Sequence, residues 1–410
     1  TSEYKYDAQD NLTWVKDQNG LVTTYQYDGL SNLMQVISPD TGTTNYTYDS
    51  AGNRTSQTDN RGVVTQYQYD ALNRLTHVIY PNATDENITY GYDDTSNDNK
   101  GVGRLTRLSD PSGVTLFHYN ALGQLTQRTH SIEGVTYQWQ FAYDLAGNLT
   151  QLRYPSGRAV NYLRNNLGQI DSITTTAWDG AALQTLVSNA QYLPFGPLQQ
   201  FDYGNGVTHT MNYDSDYRLE SVVAGDGSTT LQDKTLAYFN TNNIKEILNT
   251  LDSADSQLFT YDQENRLNTA TGSYGVLDYD YDFVGNRTQL RKDLTNDAVF
   301  DIVEAYEYVT GSNQLDKLTI APGQSYTFNY TDSGHLENDP RSNTTLQYNE
   351  ADRLTAISGD RGTGNYVYNA LGQRVITFAS HNSVDYHHIH YGLDGKRLAV
   401  MTNDGRVAQE

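Results

Sequence analysis

The sequence contains no cysteine, and it has only 3 methionines, 3 tryptophans and 8 prolines among 410 residues. The absence of cysteine excludes a disulfide framework and any metal site built on thiolate ligands. No apolar run approaches the ~20 residues that a membrane-spanning helix needs. Basic residues are also scarce: 27 Lys and Arg stand against 49 Asp and Glu. The resulting net charge of -22 disfavours nucleic acid and anionic membrane surfaces as partners.

Tyrosine is the residue present in excess, with 34 copies against 10 phenylalanines. Tyrosine has a high preference for β-strands, and its polar tip suits a sheet face that is only partly dry. Helical periodicity is hard to find anywhere in the chain. These features predict an all-β protein.

One pattern recurs along the chain, and its clearest copy covers residues 67–81. The second tyrosine of the pattern falls at positions 6, 27, 48 and 69, which are 21 residues apart. A fixed period of this length indicates a repeat architecture, here of about eighteen units. The residues that define the repeat are Tyr67, Tyr69, Asp70, Asn73 and Arg74; Tyr25, Tyr27 and Asp28; Tyr46, Tyr48, Asp49, Gly52 and Asn53; Tyr143, Asp144 and Gly147; and Tyr279, Tyr281, Asp282 and Gly285.

Each part of the repeat has a physical interpretation. Tyr-x-Tyr is a period-2 strand pattern that places both rings on one face. The Asp that follows begins a turn, here named the YD turn, in which glycine or asparagine tolerates a positive φ. A return strand and a second turn, named the return turn, complete the unit. We expect Asp28, Asp49, Asp70 and Asp144 to accept hydrogen bonds from backbone N–H groups of the YD turn.

The pattern Tyr-Asp-x-x-Gly-Asn/Gln-Arg/Leu at this spacing resembles the YD-repeat, or Rhs, family, and residues 194–198 and 203–207 resemble another stretch of that family. The resemblance covers residues 4 to about 400. It implies a β-sheet that spirals into a hollow shell. In bacterial polymorphic toxins and insecticidal toxin complexes such a shell encloses a toxin, and in animal teneurins it is part of an adhesion receptor.

Strand counting agrees with a spiral. About 36 strands at ~4.8 Å each give ~170 Å of sheet, and a sheet this wide must curl. We therefore predict an all-β spiral of about eighteen antiparallel β-hairpin YD repeats, forming an open, hollow shell of roughly one turn in a single domain over residues 1–410. Both ends of the sequence fall inside repeats, so we expect a fragment of a longer chain, with hydrogen exchange fastest around Tyr6 and His390.

Few residues are candidates for chemistry. Residues 110–114, Asp-Pro-Ser-Gly-Val, are the nearest match to the Asp-Pro-x-Gly-Leu motif at which related toxins cleave themselves, but the leucine is missing. His388 and His390 fall where the repeat has its two tyrosines, and we interpret them as substitutes for those rings and not as metal ligands. Asp94 and Asp98 are candidates for a surface calcium, although their loop lacks the glycine and glutamate of an EF-hand.

The carboxylates recur once per repeat, so they serve the unit and not a single active site. No nucleophile elbow or phosphate-binding loop is present. We therefore expect no enzymatic activity and no cofactor. The predicted function is a structural shell segment of a secreted or surface protein, with the remainder of its own chain or an encapsulated cargo as partner. The alternative is an extracellular module that binds a glycan or a protein through tyrosines outside the register, namely Tyr154, Tyr217 and Tyr274.

Overall fold

The computed structural model describes residues 1–176, 182–194, 196–381 and 383–409, so Phe195 of the stretch 194–198 lies outside the described residues. Within these ranges the predicted all-β class is confirmed: the chain forms 37 strands and no α-helix. Three single turns of 3-10 helix lie at Thr84–Glu86, Ser96–Asp98 and Ser253–Asp255. No described helix is long and apolar enough to cross a membrane.

The strands follow one another in the alternating order that the repeat predicts. The first eighteen are β1 Glu3–Tyr6, β2 Leu12–Lys16, β3 Val22–Tyr27, β4 Leu33–Ser38, β5 Gly42–Tyr48, β6 Arg54–Thr58, β7 Val64–Tyr69, β8 Leu75–Ile79, β9 Ile88–Tyr92, β10 Leu105–Asp110, β11 Gly113–Tyr119, β12 Leu125–Ile132, β13 Val135–Tyr143, β14 Leu149–Arg153, β15 Ala159–Arg164, β16 Ile170–Thr176, β17 Gln184–Tyr192 and β18 Leu198–Tyr203. The remainder are β19 Thr208–Tyr213, β20 Leu219–Gly225, β21 Thr230–Tyr238, β22 Ile244–Asn249, β23 Gln257–Tyr261, β24 Leu267–Gly272, β25 Gly275–Tyr281, β26 Arg287–Asp293, β27 Ile302–Tyr308, β28 Leu315–Ile320, β29 Gln324–Thr327, β30 Asn338–Asp339, β31 Thr344–Tyr348, β32 Leu354–Gly359, β33 Gly362–Tyr368, β34 Arg374–His381, β35 Ser383–Tyr391, β36 Arg397–Thr402 and β37 Val407–Gln409.

Strands that follow each other in sequence pair antiparallel. In the clearest repeat, β7 pairs with β8, and Tyr67 lies opposite Val78. The register shifts between Gln68 and Tyr69, which indicates a β-bulge at the second tyrosine. The same shift occurs at Tyr27, Tyr48, Tyr281 and Tyr368. The bulge is therefore a fixed part of the repeat.

The YD turn is closed by two backbone hydrogen bonds. The N–H of Asp70 donates to the carbonyl of Arg74 at 3.0 Å, and the N–H of Asn73 donates to the carbonyl of Asp70 at 3.0 Å. Asn73 has a φ of 59°, and the corresponding Gly52 has a φ of 82°. Glycine and asparagine adopt this left-handed conformation at little cost, which explains why they occupy this position.

The chain divides into two compact units. Unit 1 contains residues 1–138, 306–319 and 325–410, and unit 2 contains residues 139–305 and 320–324. In unit 2 the buried side chains are spread along the sheet and include Trp139, Leu152, Ala224 and Leu290. Unit 2 is thus a run of repeats in which each repeat packs mainly against its neighbours.

Unit 1 brings the beginning and the end of the chain together. We name residues 1–138 the early segment and residues 306–319 with 325–410 the late segment. Val78, Tyr80, Ile88 and Leu108 form a buried apolar cluster of the early segment, and Ala351 and Ala370 of the late segment pack against it. The contacts join residues up to 296 positions apart. The early and late segments of unit 1 therefore pack directly against each other.

The burial of the late segment differs from what fast exchange around His390 would require. His388, His390 and Met401 are among the most buried side chains of the described chain. By contrast, all four residues of β1 are exposed. The last repeats are covered because the early segment packs against them, and counting repeats could not show this.

Candidate functional site

The aspartate of each repeat holds the YD turn together. The Oδ1 atom of Asp70 accepts hydrogen bonds from the N–H groups of Leu72 at 2.9 Å and Arg74 at 3.0 Å. Its Oδ2 atom accepts from Nε of Arg74 at 2.7 Å. The hydrogen bonds predicted at the other three positions are confirmed in the same arrangement: Asp28, Asp49 and Asp144.

The residue four positions after the aspartate is matched to it by hydrogen-bonding chemistry. Asp49 and Asp144 can only accept hydrogen bonds, and each receives one from the side-chain amide of an asparagine, Asn53 or Asn148. At Asn349, which stands in place of the aspartate, the fourth residue is Arg353, whose backbone N–H donates to Oδ1 of Asn349 at 2.9 Å. In three other repeats that have asparagine in place of aspartate, the partner is a glutamine whose side-chain oxygen accepts. The pairs of this second kind are Asn120 with Gln124, Asn165 with Gln169 and Asn369 with Gln373. The sequence contains this matching, but the repeat motif given above does not include it.

These hydrogen bonds shift the acidity of the carboxylates. The amide of Asn53 is the main cause that lowers the pKa of Asp49, and backbone N–H groups act in the same direction. For Asp70 the backbone N–H of Arg74 is the main cause that lowers the pKa, assisted by the guanidinium. The turn carboxylates are thus held ionised at neutral pH.

The second tyrosine of the motif joins neighbouring repeats through its hydroxyl. Tyr69 donates a hydrogen bond to the carbonyl of Arg54, the first residue of the preceding return strand, at 3.0 Å. The same bond joins Tyr48 to Leu33, Tyr92 to Leu75, Tyr119 to Leu105, Tyr192 to Ile170, Tyr213 to Leu198, Tyr238 to Leu219, Tyr261 to Ile244, Tyr281 to Leu267, Tyr330 to Leu315, Tyr348 to Leu336, Tyr368 to Leu354 and Tyr391 to Arg374. Phenylalanine could not make it, which explains the excess of tyrosine.

Within unit 1, return turns of the early segment contact YD turns of the late segment, and we name this row of contacts the seam. It is formed by the return turns near residues 40, 60, 86 and 111 and the YD turns near residues 313, 332, 350 and 370. At one position Oδ1 of Asp40 accepts hydrogen bonds from Oγ of Ser312 and from the N–H of Asn313, both at 2.6 Å. The amide of Gln314 donates to the carbonyl of Asp40 at 2.7 Å.

Arg61 is the most extensively bonded side chain of the seam. Its guanidinium donates to the carbonyls of Asn349 at 3.0 Å and Glu350 at 3.1 Å. It also forms ion pairs with Asp59 at 2.7 Å and Asp352 at 2.9 Å. The planar guanidinium has enough N–H donors to bond these two carbonyls and two carboxylates at the same time, which an ammonium group could not do.

Asp110, the first residue of the Asp-Pro-Ser-Gly stretch, also belongs to the seam. Its Oδ1 atom accepts hydrogen bonds from the N–H and the hydroxyl of Ser112, at 2.9 and 2.6 Å. Its Oδ2 atom accepts from the N–H of Ala370 at 2.8 Å. The carboxylate thus forms its own turn and holds a late YD turn.

The interpretation of His388 and His390 as stand-ins for the two tyrosines was wrong. Tyr391 occupies the motif position, because its hydroxyl donates to the carbonyl of Arg374 and the register shifts between His390 and Tyr391. His388 and His390 therefore lie on the opposite face of β35. A shift of one residue moves every side chain of a strand to the other face, and the spacing of the last repeats could not fix it.

These histidines form a buried polar cluster with the early segment. The hydroxyl of Tyr137 lies 2.7 Å from Nδ1 of His388, whose Nε2 lies 3.1 Å from Oε2 of Glu133. The rings of His130 and His390 have centroids 6.2 Å apart. Burial lowers the pKa of His130 to about 4, with the Arg128 charge acting in the same direction. Both imidazoles of this pair are neutral at physiological pH, since burial also lowers the pKa of His390 well below its usual value.

Arg128 is buried next to this pair. Its Nη2 atom donates to the carbonyl of Tyr391 at 2.6 Å, and burial lowers its pKa to about 10. The cluster therefore already holds one positive charge in a poorly hydrated environment. Protonation of either neighbouring histidine would add a second charge of the same sign.

A model of the RHS Repeat family matches residues 6–44, 48–85 and 101–136. Residues 6–136 therefore carry Rhs repeats. The crystal structure of TcdB2-TccC3 is similar to it, with a TM-score of 0.84 and 17% sequence identity over 98% of this chain and 24% of that one. The TcdB2-TccC3-Cdc42 structure is similar with a TM-score of 0.82 and 17% sequence identity, over 95% of this chain and 22% of that one. A Tc holotoxin pore of Photorhabdus luminescens is similar with a TM-score of 0.75 and 18% sequence identity, over 98% of this chain and 23% of that one.

These structures share the fold of this chain, which spans less than a quarter of their length. No curated protein matches the sequence. The matched ranges include Tyr69 and Asp70, whose hydrogen bonds are described above.

The two candidate calcium ligands, Asp94 and Asp98, have partners within the protein. Both carboxylate oxygens of Asp94 accept hydrogen bonds from Ser96, at 2.9 Å each. Asp98 forms an ion pair with the ammonium group of Lys100. In the described part of the chain, no group of three or more His, Asp or Glu side chains is arranged to hold a metal ion.

The three tyrosines singled out as ligand contacts lie in three different turns. Tyr154 begins a return turn, and its ring packs on Trp139 with centroids 4.9 Å apart. Tyr217 is part of a YD turn with a φ of 61° and is half exposed. Tyr274 lies in the turn between β24 and β25 and is also exposed. Tyr217 thus belongs to the register that it was expected to break.

Proposed function

We propose that this chain is a non-enzymatic segment of a toxin-related Rhs shell, secreted or held at the cell surface, which encloses a polypeptide cargo. The observation that supports this proposal is the seam. A spiral of β-hairpins has rows of turns along both borders, and a gap between successive passes would leave any lumen open. Asp40, Arg61 and Asp110 bond the two borders together within unit 1.

The chemistry of the repeat supports a structural role. The carboxylates of the motif are used by their own turns, and the tyrosine hydroxyls are used by backbone carbonyls. Groups that are bonded in this way strengthen a wall and are not available to a substrate. The similar structures include TcdB2-TccC3 and a Tc holotoxin pore. A toxin-related cargo is therefore the partner that we propose.

The proposal is tested on the full-length natural protein by limited proteolysis. Segments outside the Rhs repeats should be cut at least tenfold more slowly in the native protein than after denaturation. The double variant Asp40→Ala, Arg61→Ala should lose this protection, because it breaks two points of the seam. The matched control is Glu264→Ala, an exposed residue of unit 2. Equal cleavage of native and denatured protein would overturn the proposal.

The second candidate function is adhesion through a bound glycan or protein. It is favoured by the exposed rings of Tyr217 and Tyr274, which offer apolar faces to a ligand. Binding of the isolated chain to a glycan array, lost in the variants Tyr217→Ala and Tyr274→Ala, would support it. Retention of binding in both variants would reject these tyrosines as the contact.

A further inference from the structure

Arg128 occupies a position that is aliphatic and buried in several other repeats. In five return strands the fourth residue is a buried aliphatic one: Val78, Leu108, Leu152, Leu290 and Leu318. The fourth residue of β12 is Arg128. A charge in such a place is costly unless hydrogen-bond acceptors or an opposite charge stabilise it. The exception at Arg128 therefore indicates a role that the repeat itself does not require.

A small cavity lies beside this guanidinium within unit 1, and its volume is about 60 Å³. The early segment contributes Arg128 and His130 to the wall, and the late segment contributes His390. Val375 and Ile389, which are 2% and 6% exposed, are apolar residues of the wall on the late segment. One water molecule takes up roughly 30 Å³ in the liquid, so an ion of similar size fits this space.

The wall of this cavity carries a positive charge. Burial lowers the pKa of Arg128 to about 10, so the guanidinium stays protonated at neutral pH. No Asp or Glu is among the described residues that line the cavity. Asp110 lies outside the wall, and its carboxylate accepts hydrogen bonds from the hydroxyl of Ser112 and the N–H of Ala370. The cavity therefore favours an anion over a cation.

Arg128 supplies hydrogen-bond donors from a fixed position. Its Nη2 atom donates to the carbonyl of Tyr391 at 2.6 Å, which holds the guanidinium against β35 of the late segment. A guanidinium has five N–H donors, and its hydrogen bonds to anions are stronger than those between neutral groups. The rings of His130 and His390 have their planes at 89° to each other. A neutral imidazole carries one N–H group, so each ring can donate one further hydrogen bond.

We propose that this cavity binds a small monovalent anion, for which chloride has the right charge and size. The ion accepts hydrogen bonds from Arg128, while Val375 and Ile389 keep water away and so strengthen its attraction to the guanidinium. Because the wall comes from both segments, the bound ion also holds the late segment against the early one. The proposal is independent of the shell function.

The site is tested directly by X-ray diffraction from crystals of the whole chain grown with sodium bromide as the salt. Bromide has the charge of chloride and nearly its size, and it is located by its anomalous scattering. We expect an anomalous peak within hydrogen-bonding distance of the Arg128 guanidinium. A cavity that shows water and no anomalous peak would overturn the proposal.

Thermal unfolding at pH 7 provides a second measurement, in solution. Replacing sodium gluconate by sodium chloride at constant ionic strength should raise the Tm by about 2 °C or more, because an ion that binds only the folded chain stabilises it. Arg128→Leu introduces the residue that β10 and β14 have at this position, so the fold should be retained. This variant should lose the anomalous peak and the chloride-dependent shift, and its Tm in gluconate should equal or exceed that of the wild type.

The matched control is Arg107→Leu, which removes an exposed arginine of the return strand β10. It should keep the full chloride-dependent shift, whereas a general effect of the salt on a less basic chain would alter both variants alike. Equal shifts in the wild type, Arg128→Leu and Arg107→Leu would overturn the proposal, because chloride would then act elsewhere. The bromide experiment on the wild type decides the question even if Arg128→Leu fails to fold.

Discussion

The hydroxyl of Tyr69 donates a hydrogen bond to the carbonyl of Arg54, which lies 15 residues earlier in the preceding repeat. This contact links the composition of the chain to its architecture, because it recurs at the second tyrosine of most repeats. Tyr69→Phe should lower the free energy of unfolding by about 1 kcal/mol, the contribution of one such hydrogen bond. Urea denaturation measures the loss. Tyr4→Phe, in an exposed strand, should change stability little, and equal effects of the two variants would contradict the assignment.

The YD turn depends on its carboxylate. Asp70→Ala should reduce thermal stability, since it removes two backbone hydrogen bonds and the contact with Arg74. Asp70→Asn should cost clearly less, because the amide oxygen keeps the backbone bonds. Differential scanning calorimetry distinguishes the two. If both variants melt at the same temperature, the backbone bonds do not determine the stability of the turn.

The buried histidines predict a loss of stability in mild acid. The pKa of His130 is about 4 in the folded protein and about 6.5 in an unfolded chain. The unfolded chain therefore binds more protons between these values, and stability falls as the pH drops from about 6.5 to about 4. For His130 alone the loss amounts to roughly 3 kcal/mol.

The acid effect is measured by urea denaturation at a series of pH values. His130→Asn should flatten the curve in this window, because it removes the group that takes up the proton. The turn carboxylates, whose pKa values are lowered, should contribute only at lower pH. A wild-type stability that stays constant from pH 6.5 to pH 4.5 would contradict the prediction.

Hydrogen exchange should be slow near the end of the chain. The amides of β35 and β36 lie in the part of unit 1 where His388, Ile389 and Met401 are buried, so they should exchange more slowly than those of β1, which is exposed. Mass spectrometry of peptic peptides provides the measurement. Equal exchange rates in β1 and β35 would show that the late segment is not held by the early one.

The sequence by itself determined the repeat. Asp70 and its partners lie within four residues of each other, and Tyr67 and Tyr69 lie two apart. Contacts of such short range are governed by local geometry, so the pattern alone predicted the strands, the YD turns and their hydrogen bonds. The resemblance to the Rhs family followed from the same residues.

Only the tertiary structure decided which repeats meet. Arg61 finds its acceptors 288 and 289 residues later, and His388 lies beside Tyr137 across 251 residues. A regular period cannot encode these distances, because every repeat presents similar turns to every other. Which turns meet depends on the twist and curvature that accumulate over many strands. The seam and the buried histidines both follow from that long-range geometry.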